Sequence, residues 1–245
     1  IHGISFVGLN AMIMRRYMHD YNVKREDLCA FPVNSHKNAV HNKYAMFRKE
    51  IKLESVINSP MVADPMTLME CAPICDGSAS LILTTKEKAK EYTDTPIIVK
   101  GSSVKVDTIG VHDRKTVTSM KATIAAASDA YRQSGLSSAD IDTLELHDAF
   151  SIMGAIGLED LGFAERGKGA SMAAEGQIAI GGKLPCCTFG GLKARGHPVG
   201  ATGVYQLAEL CWNLRGDGKV EAENGMAQNI GGTGSTVSVT ILGRD

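Results

Sequence analysis

Apolar residues recur along this chain first with the period of a helix and, toward its end, with the period of a strand. Phe6, Leu9, Ile13 and Tyr17 are spaced by three or four, with Arg15, Arg16, His19 and Asp20 toward the polar side and the end, which predicts a helix over 6–21. Residues 23–42 read as a second helix, opened by acidic Glu26 and Asp27. From 56 to 81 the periodicity fades and turn formers gather at Ser59-Pro60, Asp64-Pro65, Cys71-Ala72-Pro73 and Asp76-Gly77, so an irregular loop region is expected. Ala79-Ser80-Leu81-Ile82-Leu83 predicts a buried strand within 78–84, followed by a short helix over 86–92 and a strand over 96–105. An alanine-rich helix over 116–134 stops at Gly135, and a serine-capped turn leads to a strand ending at His147. Next come a helix over 152–161, a loop over 163–182 and a strand carrying Cys186 and Cys187. A helix striped by Val199, Leu207, Leu210 and Leu214 precedes a strand over 224–229 and a closing strand over 235–242, where Val237, Val239 and Ile241 alternate with Thr236, Ser238 and Thr240. Strands alternating with helices predict α/β layers.

Composition narrows the class of partner. The 245 residues, 44% of them hydrophobic, are enough for one or two domains, and no apolar run is long enough to span a membrane. With 26 basic and 27 acidic residues there is no footprint for nucleic acid or for an anionic membrane surface. Six cysteines without paired Cys-x-x-Cys spacing read as free thiols in a reducing cytoplasm, with no metal expected. The opening Ile1-His2-Gly3-Ile4, leading almost at once into a helical pattern, reads like the interior of a longer polypeptide. Beyond Met153 lie 20 of the 26 glycines, so turns near a binding surface dominate the second half.

One stretch concentrates the chemistry. In Gly190-Gly191-Leu192-Lys193-Ala194-Arg195-Gly196-His197-Pro198-Val199-Gly200-Ala201-Thr202-Gly203 a histidine stands between a glycine turn and a helix start, with Pro198 placed as a first helical residue. A helix N-terminus favours the neutral imidazole, which can accept a proton or donate to a developing oxyanion; a capping histidine is the bland alternative. Gly196 and Gly200 permit close approach of backbone or ligand. Earlier, His36, Lys37 and Asn38, with His41, Asn42, Lys43 and Arg48, form a cluster suited to a phosphate-bearing ligand, or else a solvated helix face.

His147-Asp148-Ala149-Phe150, the Gly196-His197-Pro198-Val199-Gly200-Ala201-Thr202-Gly203 block and Asn229-Ile230-Gly231-Gly232 together resemble the C-terminal half of the thiolase superfamily, with the nearest look to its archaeal and sterol-carrier-type members. The resemblance extends through Ser35-His36-Lys37-Asn38-Ala39 and Asp76-Gly77-Ser78-Ala79. It implies a five-layered α-β-α-β-α fold of two similar halves, of which residues 1–92 would be the end of the N-terminal half with its loop region and 93–245 the C-terminal domain. It also implies acyl transfer on coenzyme A thioesters: condensation of two acetyl-CoA or thiolysis of a 3-ketoacyl-CoA. Coenzyme A is then substrate, with no further cofactor. His197 would activate a nucleophilic cysteine, His147 would move a proton or stabilise the thioester oxygen, and the Gly231 backbone N–H would help form an oxyanion hole. Asn229 stands where many thiolases carry an acid/base cysteine. His36, Lys37, Asn38, Gly196 and Gly200 would contact the coenzyme A thioester. The family places its nucleophile upstream of Ile1, so the remaining half is expected on another chain or cut away, and a homo-oligomer is expected. A non-catalytic subunit binding coenzyme A thioesters is the alternative.

Overall fold

Four strands form the sheet that organises the second half of the chain, and its order, β3-β6-β5-β4, brings together segments far apart in sequence. The computed structural model describes residues 3–245; Ile1 and His2, where the chain opens, lie outside the described residues. In chain order the elements are α1 (Phe6–Tyr21), α2 (Arg25–Leu28), α3 (Ala30–Ala39), α4 (Leu53–Ile57), β1 (Met61–Ala63), β2 (Met66–Thr67), α5 (Lys86–Ala89), β3 (Ile97–Val106), α6 (Lys121–Ser134), β4 (Thr143–Glu145), α7 (Ser151–Asp160), α8 (Gly169–Ala174), α9 (Thr202–Arg215), β5 (Asn224–Gly231) and β6 (Thr236–Arg244).

β6 runs antiparallel to both β3 and β5, whereas β4 lies parallel to β5. Side chains alternate between the two faces of a strand. Val237, Val239, Ile241 and Met226 therefore share a core with Ala126, Ala127 and Ala130 of α6, while Ala227 and Leu242 face Leu210 and Leu214 of α9. The small face of α6 lets it come close: a methyl added at Gly101 of β3 would overlap the Ala130 carbonyl oxygen. The result is a layer of helix, sheet and helix, the α/β arrangement that the alternating pattern predicts.

Several boundaries differ from the pattern for local reasons. The expected helix over 23–42 breaks at Cys29 into α2 and α3, because Pro32 lacks the N–H that would bond the Leu28 carbonyl. α6 starts at Lys121, not 116: the Asp160 carboxylate accepts from the Met120 N–H (2.7 Å) and the Ser119 hydroxyl (2.8 Å) and holds that entry outside the helix. The expected loop over 163–182 contains α8, whose first residue, Gly169, packs so tightly on α7 that a methyl there would overlap the Ala155 carbonyl oxygen. Within 56–81 sit the end of α4, the short β1–β2 pair and a 3-10 turn over Leu68–Glu70 capped by Thr67, with irregular chain between and after them.

The strand expected over 78–84 is not formed. A strand needs a neighbouring backbone to complete its ladder, and among the described residues none pairs with this segment. Ile82 and Leu83 are accordingly 94% and 81% exposed. Cys186 and Cys187 likewise lie outside any strand: Cys186 makes only an isolated bridge to Leu144, and Cys187 has a left-handed backbone that ends the extended run.

Candidate active site

Three loops converge at one end of the sheet. β4 stops at Glu145, and the chain continues through Leu146 to His147 and Asp148 before α7. Segment 71–75 runs beside this turn. The Ala72 N–H donates to the Ala149 carbonyl (2.8 Å), and the His197 N–H donates to the Pro73 carbonyl (3.0 Å). The third loop is a π-helical turn over Gly191–Arg195, held by Asp148: its carboxylate accepts from the Leu192 N–H (2.6 Å) and from the Ser35 hydroxyl (2.9 Å). At Gly191 a methyl would collide with that carboxylate, so glycine is required there by proximity as well as by its positive φ.

These loops set His147 and His197 against each other with ring centroids 5.3 Å apart and planes perpendicular. Their hydrogen bonds assign opposite tautomers. Nδ1 of His147 accepts from the Ile230 N–H (3.3 Å) and faces the Asn229 amide (3.4 Å), so its proton is carried on Nε2. Nδ1 of His197 lies 2.7 Å from Thr202 Oγ1, whose own proton goes to the Pro198 carbonyl (3.3 Å). Thr202 therefore accepts from a protonated Nδ1, which leaves the lone pair of His197 on Nε2. One ring offers a donor and the other an acceptor.

Both rings are held neutral. Burial first, then coupling to the adjacent His197 ring and the positive charge of Arg195, lowers the pKa of His147 to about 3. Burial and then Arg195 lower that of His197 as well. The depression expected from a helix N-terminus is thus present with a different cause, because α9 begins at Thr202 and Pro198 to Ala201 form a turn ahead of it. Arg195 is itself buried, pairs with Glu209 through Nε (2.8 Å) and stacks its guanidinium over Tyr205 at 4.8 Å.

The other residues singled out in the sequence fall into two groups. Asn229 joins the centre, with its amide donating to Gln206 Oε1 (3.0 Å), and Gly231 ends β5 immediately after Ile230. Gly196 lies where a methyl would stand 2.6 Å from Cys75 Sγ, which places that thiol against the residue before His197. Gly200 is exposed, with open space beside it. Of the first-half cluster, the Asn38 amide donates to the Cys186 and Cys187 carbonyls (3.1 and 3.2 Å), so it ties α3 to the site loops. Lys37 points to solvent, and His36 is buried with Nδ1 3.0 Å from the Lys49 carbonyl.

Sequence reasoning quoted Thr202 and Asp148 within their motifs without giving either a role, and passed over Gln206. Gln206 donates to the carbonyls of Glu145, Leu146 and Gln228 (3.3, 3.0 and 2.9 Å) and so locks β4, β5 and α9 together. A hydroxyl five residues after the histidine was the legible signal for Thr202; nothing in the sequence marks Gln206.

A family model described as thiolase C-terminal domain-like matches residues 103–244. The chain is 48% identical over 246 aligned positions to an acetyl-CoA acetyltransferase of Methanothermobacter thermautotrophicus, and 41% identical over 253 to one of Methanocaldococcus jannaschii. In each case 99% of this chain aligns, and it spans 64% of the relative's length. Among solved structures, a chain of the Ltp2-ChsH2(DUF35) aldolase superposes with a TM-score of 0.88 at 29% identity, covering 98% of this chain and 64% of that one. The Gly-His-Pro-x-Gly turn, the histidine after β4 and the glycine turn after β5 thus sit on a fold shared with these proteins, and the chain belongs to the thiolase superfamily.

Proposed function

We propose that the complete protein is a thiolase-type acyltransferase acting on acyl-CoA thioesters, through acetoacetyl-CoA thiolysis or the reverse condensation, with His147 and His197 at its reaction centre. The carrying observation is the complementary pair of tautomers, 5.3 Å apart between ring centroids. Acyl transfer and Claisen chemistry each need a base where a proton leaves and a donor aimed where charge arrives. His197 Nε2, freed by Thr202, supplies the base, which takes a proton from a thiol or from the carbon next to the thioester. His147 Nε2–H supplies the donor to the thioester or enolate oxygen. Its Nδ1 is occupied and its pKa lies near 3, so it acts by donating a hydrogen bond and not by carrying a proton. Asn229 holds the back of the His147 ring, and the Gly231 N–H is the second candidate donor.

The same base and donor also suit a retro-aldol cleavage, in which the base takes the proton of a 3-hydroxyl group and the donor stabilises the enolate released. Likeness to an aldolase chain at 29% identity favours keeping this second reading. Thiolysis of acetoacetyl-CoA by the complete protein, compared with cleavage of a 3-hydroxyacyl-CoA, decides between them. The first reading expects acetyl-CoA formation that depends on added CoA and falls at least about a hundredfold in His197→Asn. Product formation without CoA, from the 3-hydroxyacyl substrate alone, contradicts it.

A further inference from the structure

The turn that presents His197 carries a charged residue to which the proton transfers above give no task. Arg195 ends the π-helical turn over Gly191–Arg195, two residues before His197, and is 3% exposed. Its main chain is tied down on one side: the Met46 N–H donates to the Arg195 carbonyl (3.0 Å) and the Phe47 N–H to that of Ala194 (2.9 Å). Its side chain reaches the other way, into α9. There Nε pairs with the fully buried Glu209 carboxylate (2.8 Å), and the guanidinium lies 4.8 Å over the Tyr205 ring. The same helix carries Thr202, which fixes the His197 ring, and Gln206, which bonds the Glu145 and Leu146 carbonyls just ahead of His147. One guanidinium thus joins the turn that holds the backbone of His197 to the helix that holds its imidazole. A buried ion pair contributes little to stability compared with apolar side chains of the same volume, so its place in the site is the better guide to its use. Both rings lie in the field of Arg195, which adds to burial in keeping them neutral. The other ionisable groups around the rings are Glu145, Asp148 and Glu209, all buried, with Lys193 on the same turn, Cys75 against Gly196, and Tyr205. Burial raises the pKa of the three carboxyls, so they are the members of this cluster that can take up a proton; a guanidinium does not give one up in a protein.

We propose that Arg195 is a positioning residue for His197: anchored by Glu209 and Tyr205, it fixes the turn ahead of the imidazole and sets a permanent positive charge beside both rings. The inference deepens the acyltransfer reading above and rests on it for the effect on turnover. A base that works in both directions must release the proton it takes. The proton that reaches His197 Nε2 from a thiol or a carbon leaves again for a thiolate sulfur or an enolate carbon, and a cation beside the ring makes the imidazolium the stronger acid for that return. The same cation favours the thiolate or enolate that exists in between.

An NMR titration of the histidines in the complete protein, with His197 assigned from His197→Asn, tests the charge without any substrate. Arg195→Met should raise the pKa of His197 by about one pH unit, and Arg195→Lys, which keeps the charge, should hold it near the wild-type value. The double variant Arg195→Met/Glu209→Leu should raise it as the single one does. It also keeps the test open if the single variant fails to fold, because removing one partner strands the other, whereas apolar replacement of the whole pair is tolerated. A merely structural arginine would lower the melting temperature of the methionine variants and leave the titration of His197 in place; that result, or a lysine variant that titrates like the methionine one, overturns the proposal. In acetoacetyl-CoA thiolysis Arg195→Met should lower kcat about tenfold to a hundredfold with KM nearly unchanged, as a displaced base does, and the acid limb of the pH profile should move to higher pH with the titration. Unchanged turnover in that variant overturns the positioning role. A His197 pKa that rises as stated in a protein without thiolysis sinks the acyltransfer reading and spares the charge assignment; a pKa unmoved in both methionine variants of an enzyme that is active as wild type sinks this inference alone.

Discussion

Replacing Thr202 by valine keeps the shape of a fully buried side chain and removes the two hydrogen bonds through which it sets the state of His197. The Nδ1–H of His197 is left facing a methyl group in a partly buried site, and the Pro198 carbonyl loses a donor. An unsatisfied buried polar group costs roughly 1–3 kcal/mol, and in a chain of this size each kcal/mol moves the melting temperature by about 2–4 °C. The melt should therefore fall by about 2–12 °C. Stability alone would not separate this role from ordinary packing, so the second readout is the tautomer. In nitrogen-15 NMR spectra of histidine-labelled protein, His197 should carry its proton on Nδ1 in the wild type and in Thr202→Ser, and should shift toward the Nε2–H form in Thr202→Val. An unchanged tautomer and melting temperature in the valine variant would refute the assignment of the base.

Further outcomes follow from the same contacts. His147 is held neutral in the folded state, with its pKa lowered from the ordinary 6.5 to about 3, so the unfolded chain binds the extra proton across that window. Stability from this group is therefore complete above about pH 6.5 and is lost as pH falls toward 3; chemical denaturation of wild type against His147→Gln should show the wild type losing ground only below that point. Gly169→Ala places a methyl against the Ala155 carbonyl oxygen and should destabilise by about 1–3 kcal/mol or more in urea melts, since α7 is buried and cannot shift freely. His147→Ala should abolish condensation of acetyl-CoA, whereas Asn229→Ala, which removes a group behind the ring, should cost much less; equal and small losses would favour a subunit that binds without reacting.

The sequence and the structure agree where local pattern and tertiary need coincide. The stripe of α1, the alternation in β6 and the stop at Gly135 were legible because each is fixed by the residues of one segment. The histidines and the glycine turns could be read as candidates, since short motifs carry their own chemistry. What escaped depends on contacts across the chain. Asp160 delays the start of α6 by binding its entry from 40 residues away, Glu159 and the Ala155 backbone receive Gly169 at the start of α8, and the apolar run at Leu81 to Leu83 has the composition of a strand without a partner to make it one. The tautomers of the two rings were likewise beyond reach, because Thr202 and the Ile230 N–H decide them through space.

If His147 and His197 work as one donor–acceptor centre, a double-mutant cycle on acetoacetyl-CoA thiolysis by the complete protein will show it. Groups that act as a unit lose nearly everything when either is removed. His197→Asn and His147→Ala should each slow turnover by at least about a hundredfold, as loss of a base or of an oxyanion donor does, and the double variant should be about as slow as the worse single one. Losses that multiply, or a His197→Asn enzyme within a few-fold of wild type, would contradict a shared centre.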